Sequence, residues 1–198
     1  MRSLRSLGLG VLVGLLLVVP VDAAVISVPA DHLTIQAALG AAGPGDTIEV
    51  DSGVYGEKLE FPTSGSPGLP ITLRAKPGAP TRPVLDGTAV PGANMILIDS
   101  KSHVAVVGVE IRNNLGVNDG SGVRVLGAGS SIEIRDNVIH EIRGQHAMGI
   151  TVYATEATPI SSLVIANNEI YDCDPATSEA VAINGNVDGF EITGNVVR

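Results

Sequence analysis

Five carboxylates, three arginines and two histidines fall in and beside three short polar stretches of the second half of the chain. "RNNLGVNDGS" (112–121) precedes Arg124, "HEIRGQHAM" (140–148) carries His140, Glu141, Arg143 and His146, and "YDCDPATSE" (171–179) carries Asp172, Asp174 and Glu179. A hard cation such as calcium takes six to eight oxygen ligands. Asp172, Asp174 and Glu179, with Glu141, form the best oxygen cluster the sequence offers. No EF-hand-like spacing accompanies them, and the default reading of loop carboxylates is that they are solvated. Arg124 and Arg143 have the fork geometry that grips a carboxylate with two hydrogen bonds; they equally have Glu141 and Asp119 as internal partners. His140 and His146 are candidate bases, although histidines in such stretches are more often surface residues.

These residues are placed by a repeat. "SSIEIRDNVIHEI", "SSLVIANNEIYDC" and "DGFEITGNVVR" follow one another at intervals of 31 and 27 residues. Each holds an apolar pair at period two: Ile132 and Ile134, Leu163 and Ile165, Phe190 and Ile192. Asn137, Asn168 and Asn195 follow three residues later, and "HVAVVGVEI" is a weaker early copy in which Val109 replaces the Asn. A second short strand precedes each copy, in "GVRVLG" (122–127), "GITVYA" (149–154) and "AVAING" (180–185), and "NMILID" (94–99) joins the set. Glu141 and Asp172 also differ by 31 residues, so they are expected on neighbouring turns.

A unit of three short strands cannot bury its own apolar face, but stacked units can, each strand pairing in parallel with its equivalent one coil away. The expected fold is therefore all-β, a right-handed parallel β-helix with three strands per coil. The fixed phase of the copies argues against an antiparallel sandwich. The Asn residues are expected at tight bends, where Asn tolerates left-handed backbone, and stacked as a hydrogen-bonded ladder.

"LTIQAALGAAGPG" predicts a short capping helix, with Thr34 as N-cap and Ile35, Ala38, Leu39 and Ala42 on one face. Residues 24–61 thus read as cap and first strands, 94–198 as regular coils of one domain (24–198). The chain stops within a strand of the last repeat, so the C-terminal end reads as incomplete. Residues 1–23 have two arginines, an apolar run and a small-residue end, the pattern of a cleaved secretory signal; an uncleaved anchor is the alternative. Their loss removes Arg2, Arg5 and Asp22 and moves the net charge from −9 to −10. So acidic a chain, without a basic stripe, argues against nucleic acid. The expected location is secreted, extracellular or periplasmic, with no membrane association after cleavage, and the expected state is a monomer. The one cysteine, Cys173, excludes an internal disulfide framework and reads as a small core residue.

"TIQAALGAAGPGDTIEVDSGVYGEKLEF", "PITLRAKPGAP" and "VLDG", with the later repeats, resemble secreted β-helix proteins of the pectate lyase superfamily, including family 9 pectate lyases and family 6 lyases. The resemblance covers nearly the whole mature chain. It implies a calcium-dependent lyase acting on an acidic polysaccharide, with a groove along the outside of one parallel sheet. In that groove Arg124, Thr151, Tyr153 and Asn184 would face outward with His146 on a neighbouring loop, and Arg124, Arg143 and His140 would be the catalytic candidates. Such a lyase removes the C5 proton of a uronic acid and expels the C4 oxygen. A positive centre stabilises the enolate-like charge, and a Lys or Arg acts as base. The chain departs from the pattern in having no Lys after Lys101. Two other functions compete: a non-catalytic extracellular binding or structural module, and a glycoside hydrolase on the same fold, whose carboxylate pairs have no matching signature here.

Overall fold

The computed structural model describes residues 23–116 and 118–198. The secretory signal read in residues 1–23 lies outside the described residues but for Ala23. Eighteen strands and one helix follow one another in chain order. From β1 (Val25–Val28) and α1 (Ile35–Ala41) the chain passes to β2 (Thr47–Val50), β3 (Gly53–Tyr55), β4 (Leu59–Glu60), β5 (Ile71–Ala75) and β6 (Pro83–Asp86). The regular coils are β7 (Asn94–Asp99), β8 (Val104–Val107), β9 (Glu110–Asn114); β10 (Ser121–Leu126), β11 (Gly129–Arg135), β12 (Val138–Ile142); β13 (Met148–Ala154), β14 (Ile160–Ala166), β15 (Glu169–Cys173); and β16 (Val181–Gly185), β17 (Val187–Thr193), β18 (Val196–Val197).

β1 pairs with β2, and from β2 on every third strand pairs in parallel, giving three sheets wound into a solenoid of about five turns. Sheet A runs β1-β2-β5-β8-β11-β14-β17, sheet B β3-β6-β9-β12-β15-β18, and sheet C β4-β7-β10-β13-β16. The repeat spacing is the register itself: Ile132 pairs with Leu163, and Leu163 with Phe190. With Val104 they form one inward apolar column, beside a second of Val106, Ile134 and Ile165. Each such side chain removed from water contributes about 1.5–3 kcal/mol, which no single coil obtains alone. In the last described coil the equivalents Phe190 and Ile192 are 56% and 48% exposed, with no further strand over them among the described residues.

The helix closes the other end. Thr34 Oγ1 accepts from Ala37 N–H, and the Glu57 carboxylate accepts from the N–H groups of Ile35 and Gln36, both at 3.0 Å. A carboxylate from the first coil thereby satisfies the free helix N-terminus and ties the cap down, while Ile35, Ala38 and Leu39 bury against the coil.

The Asn stack is continuous. Asn137 N–H and Nδ2 donate to Asn168 Oδ1 at 3.1 and 3.0 Å, and Asn168 N–H and Nδ2 donate to Asn195 Oδ1 at 2.8 and 2.9 Å. Val109, the replacement, donates its N–H to Asn137 Oδ1. One detail differs from the expectation. The left-handed residue at this corner is the one before the Asn: Gly108, Asp136, Asn167 and Gly194, with φ of 55–74°. The Asn itself turns inward, buried, and serves the backbone. Two more corners repeat the device, at His103, Ser131, Ser162 and Gly189, and at Asn113, Glu141 and Asp172.

Candidate functional site

The outer face of sheet C carries a row in which Glu60, Leu97, Arg124, Thr151 and Ala182 are successive partners, beside a row of Asp99, Leu126, Tyr153 and Asn184. Period-two alternation places them outward, opposite Val123, Val125, Ile150 and Val152 in the core. The alternation fails at the strand beginnings. A Cβ on Gly122 would stand 2.5 Å from Ile139 Cγ2, and one on Gly149 2.4 Å from Ile170 Cγ2. Both glycines therefore face the core next to an inward residue. That turns Ser121 onto the outer face with Arg124.

The result is a polar network across three coils. Ser121 Oγ and Thr151 Oγ1 lie 2.5 Å apart, and Arg124 Nε is 3.3 Å from each. Arg124 stacks over Tyr153, 5.3 Å from the ring centre. Its guanidinium grips Asp119 with two bonds, 3.1 and 2.9 Å, and a third to the Asp119 carbonyl oxygen at 2.7 Å. Beneath Ser121, the buried Asn114 donates Nδ2 to Ser121 O and to Ala93 O, and its Oδ1 accepts from Lys58 Nζ at 2.8 Å. Burial holds the Lys58 ammonium below the usual lysine range.

A wall rises beside this face. The turns leading into β10, β13 and β16 stack on one another: Asp119 N–H donates to Gln145 O, and Ala147 N–H to Asp174 O. Arg143 meets Asp174 at 3.1 Å on this wall, with both side chains 44% exposed. His146 and Glu179 are exposed on it, Glu179 accepting from Ser178.

Several sequence expectations change here. Each of the three polar stretches begins as a strand of sheet B, not as a loop: Arg112–Asn114, His140–Ile142 and Tyr171–Cys173 belong to β9, β12 and β15. His140 therefore points off sheet B. It stacks on Tyr171 with ring centres 4.8 Å apart and meets Glu110 at 3.3 Å and Glu141 at 3.4 Å. It stands away from Arg124. Thr151 faces outward but is wholly buried under Arg124, so it supports the groove without lining it. Glu141 and Asp172 sit at left-handed corners on the sheet B side, whereas Asp174 and Glu179 stand on the wall. Among the described residues no three His, Cys, Asp or Glu side chains gather closely enough to hold a metal ion. The proposed calcium ligands are thus divided between two surfaces, and Asp174 is already paired with Arg143. Tyr153 and Asn184 are on the outer face as expected, Asn184 exposed.

Sequence reasoning missed Ser121, Asn114 and Lys58. Ser121 was hidden by the doubled inward step at Gly122, and Lys58 meets Asn114 across 56 residues. Of the two internal partners that the sequence offers Arg124, the structure pairs it with Asp119.

Cys173 is inward-facing and half-buried, its thiol pushed up to about 11 by burial. Among the described residues no helix is long and apolar enough to cross a membrane.

No protein-family model matches the chain. It is 34% identical over 183 residues to the uncharacterized protein YwoF of Bacillus subtilis (strain 168), and it spans 37% of that protein's length. Among solved structures it is similar to the pectate lyase Pel9A, with a TM-score of 0.58 at 18% identity over 89% of this chain and 47% of that one. It is also similar to an alginate lyase from Paenibacillus sp. str. FPU-7, with a TM-score of 0.60 at 20% identity over 88% of this chain and 66% of that one. The likeness lies in the winding and stacking of the coils: the chain has the parallel β-helix of the pectate-lyase-like structures.

Proposed function

We propose that this protein engages a uronic-acid polysaccharide along the outer face of sheet C, outside the cell, as a polysaccharide-lyase-like β-helix. The observation that carries the reading is the bidentate hold of Arg124 on Asp119 above an ordered floor of Ser121, Thr151 and Tyr153. Asp119 stands on an exposed turn, and its carboxylate occupies the guanidinium as a uronate carboxylate would. A substrate carboxylate that displaces it finds a donor already fixed in place, at little cost in ordering. Arg143, paired to Asp174 by one bond, is a second cation on the same wall.

In β-elimination the C5 proton leaves to a base, the C5–H electrons form the C4–C5 double bond, and the C4–O bond breaks. Arg124 paired to the uronate carboxylate would stabilise the enolate-like charge that builds at C5. In this reading Arg124 and Arg143 serve as carboxylate partners. His140, on sheet B, is remote from this face. Calcium has no ready-made site in the described coils, so the carboxylate's charge falls to Arg124. These two points favour a second reading, in which the described coils bind polysaccharide without cleaving it.

The test is ultraviolet absorbance of unsaturated uronide products from pectate, alginate and chondroitin or dermatan sulfate, with calcium and then with EDTA. Absorbing product that is lost in Arg124→Met supports the lyase reading. Binding of one of these polymers without product selects the second reading, and folded protein that neither binds nor cleaves any of them refutes both.

A further inference from the structure

A separate cleft of about 320 Å³ lies at the N-terminal end of the same face, lined by Gln36, Lys58, Glu60, Asn94 and Leu97. Leu97 pairs with Glu60 on one side and with Arg124 on the other. The cleft is therefore in line with Arg124, about two coil spacings, roughly 10 Å, away. It is built rather than accidental. Gln36 and the Glu60 backbone exchange two hydrogen bonds, Nε2 to O at 3.0 Å and N–H to Oε1 at 2.8 Å, so the capping helix forms one wall. Lys58 Nζ spends two of its three N–H groups on Gly92 O and Asn114 Oδ1. Asn94 Oδ1 is buried with no hydrogen-bond partner among the described residues, an unfavourable position for a polar atom.

We infer that this cleft is a subsite for a neutral sugar unit, recognised through its hydroxyl groups. The inference rests on the polysaccharide reading above and adds a specificity to it. A hydroxyl both accepts and donates. It accepts the third N–H of Lys58 and donates to Asn94 Oδ1, which reaches the cleft by turning about the soft terminal torsion of its side chain. The Glu60 carboxylate is a second acceptor for a neighbouring hydroxyl. A uronate carboxylate fits worse. It has no proton for Asn94 Oδ1, and the Glu60 carboxylate in the same cleft opposes its charge. The face then reads two kinds of unit at a fixed separation, a uronate at Arg124 and a neutral sugar at Lys58.

The experiment is calorimetric titration with three probes: an oligogalacturonate, an oligomer alternating galacturonate with rhamnose, and a neutral galactan oligomer. The expected result is about tenfold tighter binding of the alternating oligomer than of oligogalacturonate. Lys58→Met and Asn94→Leu remove that preference, whereas Arg124→Met weakens both acidic oligomers alike. Glu60→Lys, at an exposed side chain that leaves the helix contact to the backbone, reverses the preference toward oligogalacturonate. Thermal melting of each variant separates lost binding from lost folding. Equal binding of the two acidic oligomers by wild type, or a preference that survives in the folded cleft variants, overturns the subsite and leaves the Arg124 reading standing. Galactan binding that the cleft variants lose, with no binding of oligogalacturonate, keeps the subsite and overturns the uronate reading. No binding of any probe overturns both.

Discussion

Arg124 and Asp119 meet fork to fork, with Nη1 3.1 Å from one carboxylate oxygen and Nη2 2.9 Å from the other. The two differ sharply in surroundings: the arginine side chain is 12% exposed and the aspartate 59%. The mobile partner of the pair is thus the acid. Asp119→Asn is expected to leave stability within about 1 kcal/mol, as exposed ion pairs do. It is also expected to tighten oligogalacturonate binding several-fold by removing the internal competitor. Unchanged affinity in a calorimetric titration counts against Asp119 as a substrate stand-in.

Asn168 serves both neighbouring coils. Its Oδ1 accepts two bonds from Asn137, and its Nδ2 donates to Ile134 O and Asn195 Oδ1. Asn168→Ala strands buried donors and an acceptor at about 1–3 kcal/mol each, and a total loss of about 3 kcal/mol or more is expected in denaturant unfolding. Asn168→Asp keeps the acceptor and loses the donor, so it is expected to fall between wild type and Ala. Equal stability of all three proteins defeats the account of the stack.

Gly149 faces the core where Ile170 Cγ2 would stand 2.4 Å and Ala180 O 3.1 Å from a Cβ. Gly149→Ala is expected to cost about 1–3 kcal/mol through overpacking. Gly56, around which no atom lies within 4 Å of a Cβ, is the control, with little loss on Gly56→Ala. A thermal melt of the pair decides it, and equal melting temperatures place Gly149 outside the core.

Asp86 is drawn two ways. Burial alone raises its carboxyl, but hydrogen bonds from Thr88, Arg112 and Asn113 outweigh it and hold the group near 2. A carboxyl lower in the folded than in the unfolded chain stabilises the fold above the unfolded value, about 3.9. That contribution falls away as pH drops from about 4 toward 2. Asp86→Asn is expected to flatten this part of the pH–stability curve, and a curve as steep as wild type's places the acid sensitivity elsewhere.

The Cys173 thiol, at about 11, is almost wholly protonated at pH 8, and the thiolate is the reactive form. Alkylation in the folded protein is expected to be roughly a hundredfold slower than in urea, followed by mass spectrometry. Similar rates imply that β15 opens readily at this corner.

The fold was legible because one rule, alternation within strands and recurrence between them, governs Ile132, Leu163 and Phe190 alike. The site was less legible because it depends on departures from that rule. Gly122 and Gly149 double the inward step, and alternation alone cannot foresee it. Counting residues placed Glu141 and Asp172 on adjacent coils correctly, yet it could not tell that left-handed corners put them on the far side of the wall from Glu179. The Lys58 cleft lies beyond local reading altogether, since it joins the capping helix, the first coil and Asn114.

Three left-handed corners per coil have a consequence for how such a chain can change length. Corners, ladder and apolar column share one period, and each is satisfied only by the equivalent residue one coil away. Loss or gain of a single residue within a strand, as between Ile132 and Asn137, would break all three at once. Duplication or excision of a whole coil would return every group to a matching partner. Drift in length by single residues is therefore confined to the turns that face outward, such as 155–159, while the body of the molecule can lengthen or shorten only by whole coils.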